Sequence, residues 1–239
     1  MQIEYEMEHS SAAIYEKEAR AAFIRRTYAH LAGSVLAFIG LEAILLRVVS
    51  KETIVSLFGQ GPMGWLIVLL AFWGASALAR VWARSETSMA LQYAGLALYI
   101  IAEAIIFLPL LYIATATFED ETLIPKAALL TGAVFGGLTM SVFITRKDYS
   151  FLAPALCVGG WIIFGTIMAA LLFQGFTLGL IFAFAVVALI SGFILFQTSA
   201  VLLHMRTDQH VAAALMLFSS VATLFWYILQ ILMTLSDRN

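Results

Sequence analysis

Glu103 is the residue in this sequence whose type and position most demand a chemical role. It falls near the middle of a long apolar stretch, flanked by Ile100, Ile101, Ile105 and Ile106. A carboxyl in such a place costs at least about 2.5–3.5 kcal/mol to insert into hydrocarbon. The cost falls when the group is protonated, paired with a cation, or faces a water-filled cavity. Those are also the states in which a carboxyl can hold an ion or pass a proton. Gln92 and Tyr99, eleven and four residues earlier, share roughly the same helical face. The structural alternative is a neutral carboxyl hydrogen-bonded between helices.

A second set of polar groups lies towards the carboxyl end. Ser191, Gln197, Thr198 and Ser199 belong to one apolar stretch, and Ser219, Ser220, Thr223, Tyr227 and Gln230 to the next. Ser220, Thr223, Tyr227 and Gln230 are spaced three, four and three, which keeps them on one face of a helix. Such groups in lipid usually bond to neighbouring helices, so interhelical adhesion is weighed above a permeation path. Glu42 and Arg47 are five residues apart, a poor spacing for a helical ion pair, and both are expected near the outer membrane edge. His30, His204 and His210 also fall at expected membrane edges, and their spacing matches no zinc signature. Cys157, the only cysteine, is expected to be a buried, inert thiol. No Walker loop, dinucleotide glycine fingerprint, H-E-x-x-H or G-x-S-x-G occurs, and the apolar stretches contain no Asp. Catalysis, metal sites and bound cofactors are not expected.

The elements that hold these groups follow from composition. Apolar residues make up 62% of the chain and charged residues 12%, with a mean hydropathy of +0.96. Soluble domains carry about 45–50% apolar and about 25% charged residues. The solvent is therefore the bilayer, and the net charge of -2 offers nothing to nucleic acid. Seven stretches reach the roughly 17–25 residues that a membrane-crossing helix needs: 28–48, 63–83, 90–115, 127–144, 152–173, 178–203 and 211–235. The reading is an all-α polytopic bundle with a polar tail at 1–26, a membrane domain at 27–235 and a short end at 236–239. Residues 11–26 are read either as a short amphipathic surface helix or as a solvated tail, and not as a cleavable signal. Pro109 frees a backbone carbonyl and is expected to kink the third span. Rows of small residues, Ala29-Gly33-Ala37, Ala71-Ala75-Ala79 and Gly132-Gly136, are expected to let helices approach closely.

Orientation follows from the basic residues. With the amino terminus in the cytoplasm, Lys17, Arg20, Arg25, Arg26, Arg80, Arg84, Arg146, Lys147 and Arg206 fall inside, against Arg47, Lys51, Lys126 and Arg238 outside. The acidic run Glu119-Asp120-Glu121 then faces outward. A plasma or bacterial inner membrane is the expected location.

Three stretches resemble the Bax inhibitor-1 family. They are Phe23-Ile24-Arg25-Arg26-Thr27-Tyr28-Ala29-His30-Leu31 at the first span and Thr145-Arg146-Lys147-Asp148-Tyr149-Ser150-Phe151-Leu152 between the fourth and fifth. The third is Ser191-Gly192-Phe193-Ile194-Leu195-Phe196-Gln197-Thr198, followed by Val211-Ala212-Ala213-Ala214-Leu215 and Leu224-Phe225. The basic-Asp-aromatic-Ser-Phe-Leu turn is the most specific of them. The resemblance implies six helices around a central seventh. It also implies a pH-sensitive calcium leak, closed in bacterial members by one aspartate late in span six and another in span seven. The matching positions here are Gln197 and Ser220, which cannot exchange a proton near neutral pH. A Gln–Ser hydrogen bond could hold the two helices together without opening by protonation.

Two readings of function follow. In the first, the protein is a leak for calcium or protons with altered pH gating, its pathway marked by Glu103, Gln197, Ser220 and Thr223. In the second, it modulates a membrane partner such as a protease or stress machinery. A secondary transporter of a small solute is the weakest reading, because one central charge must serve both coupling and binding.

Overall fold

A computed structural model describes residues 2–59, 61–118, 120–173 and 178–237, with side chains described from Glu16 onward except Pro62. Glu119, the Gln174-Gly175-Phe176 turn and Arg238 lie outside the described residues. Eight α-helices and no strand occur among the described residues. They are α1 Gln2–Val48, α2 Lys51–Phe58, α3 Gly61–Ala83, α4 Met89–Ala116, α5 Leu123–Thr145, α6 Ala153–Leu172, α7 Leu180–Leu203 and α8 His210–Ser236. Seven of them, all but α2, are long and apolar enough to cross a membrane.

Helices dominate because a chain this apolar can satisfy its backbone in lipid only within each segment. The first span is not preceded by a separate surface helix: α1 runs unbroken from the polar end into the apolar stretch. Arg20 explains how its amino-terminal half is held, since its guanidinium donates to the Met205 carbonyl at 2.5 Å and lies 5.5 Å over the Phe23 ring. The short α2 was not expected from the sequence. Ser50 caps it by accepting from the Thr53 amide, and Ile54 and Phe58 bury its inner side beside Leu108. Pro109 leaves α4 unbroken as a helix.

The implied arrangement around a central helix is present. Of the most apolar stretch of α8, 61% is buried, against 6% for α6. Helix α8 packs on α1, α3, α4, α5 and α7, whereas α6 touches α3 and α7 from outside. Helix α4 is nearly as enclosed as α8, at 56%. Phe38, Phe107 and Phe218 bring the rings of α1, α4 and α8 together, with Phe38 5.1 Å from Phe107 and 5.9 Å from Phe218.

Of the small-residue rows, that of α3 supplies a close approach, through Ala79, whereas the glycines of the other two do not. A Cβ added at Gly33, Gly132 or Gly136 would meet open space. The tight seat is Gly95, where an added Cβ would stand 2.5 Å from the Ala79 carbonyl oxygen and 2.7 Å from the Ala83 amide nitrogen. Helices α3 and α4 therefore meet backbone to backbone, with Ala79 and Ala83 fully enclosed. Cys157 also differs from expectation: its side is exposed on α6. Helix α6 has few inward positions, so a buried slot for the thiol does not arise.

Candidate functional site

The polar residues of the last two spans do not form a continuous seam. Thr223 donates to the Ser219 carbonyl at 2.8 Å and Ser191 to the Val187 carbonyl at 2.8 Å, both within their own helices. Ser199 receives the Tyr149 amide of the α5–α6 turn at 3.2 Å. The bond that joins α7 to α8 is the expected one: Ser220 Oγ donates to Gln197 Oε1 at 2.8 Å, with both residues buried. The two positions at which the resemblance implies a proton-sensitive pair thus hold a closed contact made without any ionisable group.

The neighbouring Ser219 carries the connection further. Its hydroxyl accepts from Tyr99 Oη at 2.7 Å, tying α8 to α4 in the layer of Phe218. Tyr99 lies one turn before Glu103 in α4, and Arg80 of α3 is a cation within electrostatic reach of that carboxyl. Glu103 is 4% exposed, and its Oε2 has no hydrogen-bond partner. Arg80, Arg84, Gln197, Ala212, Met216 and Ser219 surround a cavity of about 90 Å³. That is room for a few waters, in a place polar enough to hold them. Gln197 lines that cavity, Ser220 bonds to Gln197, and Glu103 joins the cluster only as the neighbour of Tyr99, whereas Thr223 is turned onto its own backbone.

Sequence reasoning missed two members of this cluster. Arg80 had been counted only as a cytoplasmic basic residue, and Ser219 only as one more polar group in its span. Arg80 falls one turn before Arg84 and just inside the apolar stretch, a position from which a long side chain can turn inward. Gln92, placed on the Glu103 face, is buried as expected. Its amide, however, donates to the Ser85 carbonyl at 2.6 Å, closing the α3–α4 turn rather than joining the cluster.

The end of the bundle that carries the α3–α4, α5–α6 and α7–α8 turns is tied by exposed contacts. Arg206 bonds Glu86 at 2.9 Å and Asp208 at 2.7 Å, linking the α7–α8 and α3–α4 turns. The basic turn after α5 is more constrained. Arg146 adopts φ 52° as its left-handed end, and its amide bonds the Val142 carbonyl. Asp148 accepts from both the amide and the hydroxyl of Ser150 and pairs with His204 at 2.8 Å. Those hydrogen bonds hold its carboxyl down at about 2. His30, the other edge histidine with a defined partner, meets Tyr93 Oη at 2.9 Å and lies 5.0 Å from the His210 ring. Among the described residues no group of three or more His, Cys, Asp or Glu could hold a metal ion.

Glu42 departs most from expectation. Read as an interfacial side chain, it is 4% exposed, and neither carboxylate oxygen has a partner. It looks into a cleft of about 810 Å³ beside α1, whose lining includes neither Arg80 nor Glu103. Position along the chain indicated its depth; the side of α1 on which it falls turned it inward.

The geometry can be set beside known proteins. The sequence model described as "Inhibitor of apoptosis-promoting Bax1" matches residues 20–237. An uncharacterised protein of Pseudomonas aeruginosa is 30% identical over 92% of this chain and 93% of its own. Mouse protein lifeguard 4 is 26% identical, covering 92% and 87%, and the Golgi anti-apoptotic protein of vaccinia virus is 24% identical, covering 93% and 90%. No solved structure matches the chain. The match over nearly the whole chain, together with seven membrane-length helices around α8, places the protein in the Bax inhibitor-1 family.

Proposed function

We propose that this protein is an ion leak of the Bax inhibitor-1 type, held closed by the Gln197–Ser220 contact and made pH-responsive by Glu103. The observation that carries the reading is convergence. Residues from α3, α7 and α8 meet around one small polar cavity, α4 joins it through the Tyr99–Ser219 bond, and Glu103 is the buried carboxyl one turn from Tyr99. Calcium is the proposed ion. It seeks several oxygen ligands, and here one carboxyl, one side-chain amide oxygen and hydroxyls are on offer. Weak coordination suits passage better than storage, because a conducting site must release what it binds. The amino terminus is proposed to face the cytoplasm, in a plasma or bacterial inner membrane, on the excess of basic residues at that end. No covalent chemistry is assigned to the site.

The exposed turn at Arg146 and Lys147 favours a second reading, in which the protein modulates a membrane partner. A left-handed arginine and a clamped aspartate hold those two cations in a fixed presentation, as a docking surface needs.

Calcium flux into proteoliposomes at pH 6 and pH 8 separates the two. The leak reading expects flux that differs between the two pH values in the native protein and is lost in Glu103→Gln. Flux in Glu103→Gln with the native pH response would remove Glu103 from the mechanism. Folded protein that passes no calcium at either pH would transfer the proposal to the modulator.

A further inference from the structure

Helices α1 and α5 both pack on α8 and meet each other through the Tyr28 and Phe143 rings, 5.7 Å apart, leaving a gap beyond that contact. The gap between them is the 810 Å³ cleft, floored by Phe218 and Phe225 of α8 and walled by Phe38 and Leu46 of α1 and Gly132 and Phe135 of α5. Its size falls within the roughly 300–1,000 Å³ of small-molecule sites. Gly132 contributes width, since nothing stands within 4 Å of where its Cβ would be. Leu36 and Ile39 on the rim are exposed, so the cleft opens sideways, where a membrane-spanning chain meets lipid.

One charged side chain enters this apolar space. Glu42 lines it, is almost wholly buried, and has no partner on either oxygen. The other polar lining groups are Tyr28, at the far end, and Thr131, whose hydroxyl donates to the Ala127 carbonyl at 2.7 Å. The cations nearest in sequence or at that end give no help. Arg47 is exposed on another face of α1, and Lys126 is held by Asp120 at 2.8 Å. An unpaired carboxylate among apolar side chains is costly, and a bound cation with its own apolar body would relieve that cost. From Glu42 to Tyr28 the cleft follows α1 for fourteen residues, or about 21 Å. It is long and narrow with an acid at one end.

We propose that this cleft binds a single-chain lipophilic amine from the bilayer, its ammonium on Glu42 and its chain lying along α1 towards Tyr28. A fatty acid would set a second carboxylate against Glu42. A fatty alcohol would offer a hydrogen bond without charge. The site is separate from the Glu103 cluster and does not depend on the leak reading.

The test uses the full chain in phosphatidylcholine nanodiscs and three tritiated probes with equal chains: hexadecylamine, hexadecanol and hexadecanoic acid. The expected order is the amine first, by about tenfold over the alcohol, with the acid weakest. Glu42→Gln, which keeps the size of the side chain, should bring the amine down to the level of the alcohol. Gly132→Leu, which fills open space and spares Glu42, should lose all three probes. Equal binding of the three would show an acyl chain held without head recognition, and would overturn the proposal. So would an amine affinity untouched by Glu42→Gln, or no uptake of amine by the native chain with the melting temperature of the intact fold.

Discussion

Glu42 and Glu103 are equally buried, at 4% exposure each, yet they belong to opposite kinds of surroundings. Glu103 sits where four helices bring a hydroxyl chain, an amide and a guanidinium together. Glu42 sits where α1, α4, α5 and α8 leave a gap walled by phenylalanine and leucine. Burial alone therefore says little about what a carboxyl does in a membrane bundle. What differs is whether neighbouring helices supply the partner or leave room for something else to supply it.

Replacing each acid with leucine gives the largest expected contrast. Glu103→Leu strips Tyr99 and Arg80 of the group they serve and should cost about 2–3 kcal/mol of stability. Glu42→Leu removes an orphaned polar group from an apolar wall and should gain about 1–2 kcal/mol. Melting temperatures in one detergent should move in opposite directions, and a shift of the same sign for both would erase the distinction. The α7–α8 contact should respond next. Gln197→Leu leaves the buried Ser220 hydroxyl unpaired and should cost about 1–3 kcal/mol, whereas adding Ser220→Ala should recover most of it. A double variant as unstable as the single one would mean that the loss came from packing and not from the bond.

The smallest effect concerns Asp148. Its carboxyl is held at about 2, below its ordinary value. The stabilisation it gives is therefore complete above that ordinary value, near 4, and fades only as the pH falls through about 2. Between pH 6 and 8 its charge does not change. Asp148→Asn should consequently leave the pH response of calcium flux where it is in the native protein. A flattened response would count against the proposal that Glu103 sets the pH dependence and in favour of the turn.

Sequence alone carried the spans, because a run of eighteen or more apolar residues leaves few alternatives in lipid. It also carried the pairing of Gln197 with Ser220, since resemblance aligned the positions and their chemistry permits one short bond. It did not carry Arg80 or Ser219 into the cluster, nor Glu42 into a cavity. Those placements depend on how each helix is rotated about its axis, and helices apolar all round carry little periodic signal of which side faces inward. The eight-residue α2 escaped notice because so short a helix forms through packing, here of Ile54 and Phe58, rather than through propensity. The Ser50–Thr53 cap was the local sign of it.

Gly95 makes α3 and α4 behave as one jaw. The Ala79 carbonyl and Ala83 amide lie so close to its α-carbon that the two helices cannot slide without unseating each other. Arg80 and Glu103 ride on that jaw together, so the distance between cation and acid is set by the packing of α3 on α4. Gln197 and Ser220 ride on α7 and α8. Parting the jaw from those two helices at the level of the cluster thus undoes the tyrosine–serine bond and leaves the serine–glutamine bond intact, because the latter joins α7 to α8 on one side of the divide.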